Sequence, residues 1–166
     1  TETSENQEDT MMEKNTFFEE MRNAAIAWNE AHTEREKERN ALKEADDWDG
    51  VKAWDEKEKA EHPYPFTQGA VRALTAYDRS LRNGADAFEI DDLPWDKDLA
   101  DFVDTLRKTG ITTAVVTDQS TALMDGIYGL TALGCTLSGL RKVTRENDHR
   151  FGSKEPEIKS GIEFAI

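Results

Sequence analysis

Asp118, Ser120 and Thr121 are the polar side chains best placed for chemistry in this sequence. They lie in VTDQST (116–121), where a β-branched run hands over to a helical pattern. In open α/β sheets ligands bind at the carboxyl ends of strands, and helix N-termini attract anions. The glycine-rich loop that a nucleotide needs is missing. Aspartate, serine and threonine also cap helices, so ligand binding and capping are both readings of this segment.

A row of acids precedes it: Asp86, Glu89, Asp91, Asp92, Asp96, Asp98, Asp101 and Asp104, with Lys97 the single base among residues 86–104. Carboxylate pairs hold hard cations or move protons. The spacing and the glycine of an EF-hand are missing, however, and no histidine falls within the row. Two readings follow. The row is either a solvated face or a phosphate-mimicking surface that docks in the basic groove of a protein.

Arg141, Lys142, Arg145, Arg150, Lys154 and Lys159 gather towards the C-terminus, around His149 and Phe151. Bases interleaved with an aromatic bind nucleic-acid backbones, but five acids dilute these six. Pairing with acidic regions of this chain, or of a second copy, competes with that reading. His32, His62 and His149 have no second His or Cys at metal-ligand spacing. His149 with Asp118 and Ser120 makes no triad that the spacing supports. Cys135, the only cysteine, follows Gly134 and reads as a small buried apolar residue. No catalytic, cofactor-binding or metal-ligating residue is assigned.

The elements that would position these groups are legible from periodicity. Residues 1–12 read as a disordered acidic tail, 13–84 as a helical region and 85–166 as an α/β sheet domain. Thr16 and Glu19 have the spacing of a capping box, followed by a stripe at Phe17, Met21, Ala24, Trp28 and Ala31. The stripe lapses at Arg35 and Glu38, where Glu34–Lys37 and Glu36–Arg39 pairs would support an exposed helix, and it returns at Leu42 and Ala45. After an interruption at Asp46–Gly50, Trp48, Val51 and Trp54 mark a second helix that ends at Pro63 and Pro65. A third runs from Thr67 through Ala70, Leu74, Tyr77 and Leu81 to Asn83–Gly84. Together these make a helical hairpin or a three-helix unit.

Past Gly84 the period changes. Phe88 and Ile90 alternate with Glu89 and Asp91, a half-exposed strand. Asp96 then caps a helix bearing Leu99, Phe102, Val103 and Leu106, and ITTAVVT (111–117) reads as a buried strand. Asp118 or Ser120 caps the next helix, whose Leu123, Ile127 and Leu130 point inward. Its Gly126 and Gly129 cost about 1 kcal/mol each relative to alanine, which implies close packing. Strands at 135–145 and 162–166 complete a β-α-β-α-β-β order, the first three parallel and the last a hairpin partner across a long loop from Glu146 to Ser160. The fold class is α+β.

Charge sets the partners. The net charge of the 166 residues is -14, and residues 1–62 carry 19 acids against nine bases, whereas 135–166 carry five against six. Phosphate backbones would be repelled by most of this surface, and a basic protein attracted. One cysteine and no long apolar run point to the cytoplasm, without a membrane span. Trp28, Trp48, Trp54 and Trp95 serve either packing or a docking patch.

DLPWDKDLADFVDTLRKTGITTAVVTDQSTALM and GLRKVTREND, within residues 88–166, resemble small uncharacterised acidic proteins of anaerobic gut bacteria and their mobile elements. The resemblance brings no catalytic residues; it implies the company of anti-restriction and anti-CRISPR inhibitors. The leading expectation is a non-enzymatic interaction protein that docks on a basic partner such as a nuclease. The alternatives are a small α/β enzyme or ligand sensor at 117–121, with Arg141 or His149 nearby, and an oligomerisation module built on the first helix.

Overall fold

The computed structural model describes residues 14–146 and 155–166. The tail expected at 1–12 lies outside them, as do His149, Arg150, Phe151 and Lys154. The described residues form α1 (Thr16–Glu44), α2 (Trp48–Glu61), α3 (Gln68–Arg82), β1 (Glu89–Ile90), α4 (Asp96–Lys108), β2 (Thr113–Val116), α5 (Leu123–Ala132), β3 (Thr136–Arg145) and β4 (Glu157–Ala165). This is the α+β order expected. Contacts divide the chain into Glu19–Thr67 and a second unit made of residues up to Phe18 with Gln68–Ile166. Helix α3 falls in the second unit, where it packs on α4 and β1.

Within Glu19–Thr67, α1 and α2 form an antiparallel hairpin. His32 and Arg35 meet Glu58 (2.9 and 2.8 Å), Arg39 meets Asp55 (2.6 Å), and Trp28 lies edge-on to Tyr64 at 5.0 Å. Partners fall in number as α1 rises, as an antiparallel pair requires. The lapse in the apolar stripe is thus not a solvent-facing stretch. Trp28, His32, Arg35, Arg39 and Leu42 are all half-buried at alternating spacings of four, three, four and three, so the stripe continues in ion pairs. Lys37 pairs with Glu34 as expected (2.6 Å), but Arg39 turns to α2 instead of Glu36. The break between the helices is also shorter than expected. Asp46 takes a left-handed φ of 57°, Asp47 N–H bonds Leu42 O at 2.9 Å, and the Asp47 carboxylate caps α2 by accepting from Gly50 N. Gly50 lies inside α2.

In the other unit, Asn15 rather than Thr16 caps α1. Its Oδ1 accepts from the amides of Phe17 and Phe18, and its own amide and Nδ2 donate to Tyr77 Oη and Thr109 O (2.7 and 2.9 Å). The buried aromatic is accordingly Phe18, stacked on Tyr77 at 4.5 Å, while Phe17 is 47% exposed. Helices α3, α4 and α5 each end in one bonding pattern. Gly84, Gly110 and Gly134 take positive φ, and the next amide reaches back to Ser80 O, Leu106 O and Leu130 O respectively.

The sheet has the order β1-β2-β4-β3. β1 and β2 are parallel, and β4 runs antiparallel to both β2 and β3. The first three strands therefore point one way, as expected, but β4 lies between β2 and β3 and begins already at Glu157. Register puts Ile90, Val116, Ala114 and Phe164 on one face, all buried. The opposite face carries Glu89, Val115, Val143 and Arg145. Residues 83–90 cross this second face. Glu146 N bonds Asn83 O, Asp86 N bonds Thr144 O, and two residues on Val115 N bonds Phe88 O. The crossing lays Ala85 and Ala87 over Val115 and Val143. Strand β1 is therefore buried on both faces, and Glu89, expected to be exposed, is only 5% accessible.

Candidate ligand cleft

Parallel β1 and β2 deliver two loops side by side at their carboxyl ends, 91–95 and 117–122. Asp118 ties them together. Its Oδ2 accepts from Leu93 N (3.1 Å) and its Oδ1 from Ser120 N (2.7 Å). Burial pushes the Asp118 carboxyl up. The amides of Ser120 and Leu93 and the Ser120 hydroxyl outweigh it and hold the group below its ordinary range. Neither Asp118 nor Ser120 caps α5, which starts later at Leu123 behind Ala122 and has no side-chain cap. Thr121 is exposed. Asp118 and Ser120 thus shape a loop junction, and none of the three residues singled out in the sequence is among those that line the cavity described next.

The cavity lies next to that junction, between the start of α4 and the length of α5. It measures about 310 Å³ and is walled by Leu93, Pro94, Leu99, Gly126, Gly129 and Leu133, among others, with Trp95, Asp96 and Asp125 as its aromatic and charged lining. Trp95 is 70% exposed. The two helical glycines allow the close packing that their cost implied. A Cβ on Gly126 would stand 2.6 Å from Leu93 Cδ1, and one on Gly129 would stand 2.6 Å from Leu99 Cδ2. Asp96 is not a cap but the first residue of α4, with φ at 48°, and Trp95 holds the N-cap position without a side-chain bond. Sequence reading missed this cleft, because its walls come from three separate segments. The paired interior glycines were its one visible sign.

Five members of the acidic row have bonding partners within the fold. Glu89 is buried against Arg145, its carboxylate also accepting from Thr117 Oγ1 (2.8 Å). Asp86 Oδ1 accepts from Thr144 N (3.1 Å). Asp91 pairs with Arg79, Asp92 with Arg72 at 3.2 Å and Asp104 with Lys108 at 2.7 Å. Asp96, Asp98 and Asp101 remain on α4, where Asp98 and Asp101 back onto Gly69 of α3. Three of the six clustered bases are paired in the same way. Arg145 pairs with Glu89, Arg141 with Glu163 at 3.2 Å and Lys159 with Glu157 at 3.1 Å. Cys135 is buried, which pushes its thiol up against the opposing influence of Arg107. Among the described residues no group of His, Cys, Asp and Glu could hold a metal ion, and no helix is long and apolar enough to cross a membrane.

Fold and site together define an α+β domain with a mixed sheet and an apolar cleft at the carboxyl ends of its parallel strands. The chain belongs to the family described as Domain of unknown function (DUF7698), whose model matches residues 72–166 and so takes in every residue of the cleft. No curated protein and no solved structure matches the chain.

Proposed function

We propose that this chain works by binding rather than by catalysis, and that the cleft between α4 and α5 is where it binds. The observation that supports this is the cavity of about 310 Å³ at the carboxyl ends of β1 and β2, apolar in its walls and polar at a few points. That is the usual anatomy and the usual place of a small-ligand site. Its lining offers no serine, histidine, cysteine or lysine. Its reactive groups are the exposed carboxylates of Asp96 and Asp125, with no partner in the lining to activate them, and the buried carboxylate of Asp118 is committed to two backbone amides. Docking of a basic protein on residues 86–104 is the weaker reading, because five of those eight acids already have bonding partners within the fold.

A ligand-observed NMR screen of small aromatic and aliphatic fragments tests the proposal. Hits should bind the wild type and be lost in Ala122→Phe, which fills the cleft from the start of α5. Hits that bind both forms alike, or no hits with folded wild-type protein, would overturn it.

A further inference from the structure

Resting on that reading, we infer that the cleft selects a cation: an alkylammonium or guanidinium group carried on an aromatic or aliphatic body. The walls set the body. Leu93, Pro94, Leu99 and Leu133 present apolar surface, and Gly126 and Gly129 add backbone to the wall, with Leu93 and Leu99 packed against them. Such a surface favours a ligand whose own apolar area is removed from water.

The lining sets the charge. Its ionisable members are Asp96 and Asp125, and it contains no lysine or arginine. Both aspartates stand in the first turns of their helices. The positive end of a helix dipole, worth about half an elementary charge, opposes each carboxylate. Two full negative charges against two half charges leave the cleft negative, and the dipole contribution fades beyond the first turn whereas the carboxylates stand in the lining itself. A ligand anion would have to displace this arrangement; a cation completes it.

Trp95 adds an independent preference. Its indole is 70% exposed yet lines the cleft beside Asp96. An exposed tryptophan face next to a carboxylate offers a cation–π contact and an ion pair to the same head group. The loop that carries Trp95 is fixed two residues earlier, where Leu93 N bonds the buried Asp118 carboxylate, so the ring's attachment point is held before any ligand arrives.

The test compares three probes of one shape by calorimetry and ligand-observed NMR: 2-phenylethylammonium, the neutral 2-phenylethanol and the anionic 3-phenylpropionate. The ammonium should bind about tenfold more tightly than the alcohol, the strength expected of two solvent-exposed ion pairs and one cation–π contact. The acid should bind most weakly. In the paired variant Asp96→Asn with Asp125→Asn, the ammonium should lose most of its advantage and keep only the share due to Trp95, with the alcohol unchanged. Trp95→Ala should weaken both. If the alcohol matches the ammonium in the wild type, or the acid binds best, selection of a cation is wrong while binding in the cleft still stands. If none of the three binds folded protein at millimolar concentration, the cleft reading falls together with it.

Discussion

Glu89 on β1 and Arg145 on β3 meet through two bonds, Nε to Oε1 at 2.6 Å and Nη2 to Oε2, although β2 and β4 separate their strands in the sheet. The pair thus links the two edge strands of the sheet. The crossing segment 83–90 meets the same end of β3. Its Asp86 donates its amide to Thr144 O and accepts from Thr144 N, standing in for a strand partner along the edge of β3. The ion pair and the Asp86–Thr144 bonds thus tie the segment that leads into β1 to the end of β3.

Because the Glu89 side chain is only 4% exposed and that of Arg145 14%, removing one partner strands a buried charge. Arg145→Ala should cost roughly 3–5 kcal/mol, against about zero for replacing both partners by apolar residues of similar volume. Urea unfolding of Arg145→Ala, Glu89→Met and the double Glu89→Met with Arg145→Met measures this. The double variant should be more stable than Arg145→Ala. A single variant within about 1 kcal/mol of wild type would mean that water reaches the pair.

Acid should loosen the hairpin of α1 and α2 through Glu58. The Arg35 guanidinium, with help from His32 and against some burial, lowers the Glu58 carboxyl from 4.5 to about 2. A folded-state value below the unfolded one means that the unfolded chain binds the proton first as pH falls. The stabilisation is therefore complete above about 4.5 and is lost as pH drops through about 2. Melting followed by circular dichroism from pH 5 to 2 should show a steeper loss for wild type than for Glu58→Gln. Parallel curves would refute the assignment.

Asp118→Ala should weaken the cleft although Asp118 is not among the residues that line it. The substitution leaves the buried Leu93 amide without its acceptor, a cost of about 1–3 kcal/mol, and frees the loop that leads to Trp95. Binding of any cleft ligand should weaken together with stability, whereas Thr121→Ala, at an exposed position in the same loop, should change neither. Calorimetry with the best fragment decides between them.

The sequence-level reading succeeded where the deciding interactions are local. Gly84 stops its helix as Asn83–Gly84 announced, through a bond closed within six residues, and ITTAVVT announces a buried strand by side-chain type alone. It failed where the partner is distant. Phe17 and Phe18 are chemically identical neighbours, and the choice between them is made by Tyr77. Arg35 and Arg39 look like a solvated stretch until Glu58 and Asp55 arrive from α2. Glu89 alternates as an exposed residue should, and is buried by an arginine 56 positions away. An acidic row read one residue at a time carries no sign that most of its members are already paired. The cleft failed to show for the same reason, since its lining spans Leu93 to Leu133.

Two glycines in helices should respond oppositely to alanine, and the contrast separates packing from propensity. A Cβ at Gly69 would run into Asp98 O and stand 2.8 Å from Phe102 N, both backbone atoms of α4. Backbone cannot step aside as a side chain can, so α3 would have to move off α4, an overpacking cost of roughly 1–3 kcal/mol. At Gly129 the atom met is the end of a leucine, Leu99 Cδ2 at 2.6 Å, and the site is inside α5. Rotating that leucine is cheap, and alanine returns about 1 kcal/mol of helix propensity. Gly69→Ala should therefore lower the urea midpoint clearly, and Gly129→Ala should leave it unchanged or raise it. The same Gly129 methyl would also enter the cleft, so that variant should bind fragments less tightly while being no less stable. Equal destabilisation by the two substitutions would show that α5 is held as rigidly against α4 as α3 is, and that the space beside Gly129 serves packing instead of a ligand.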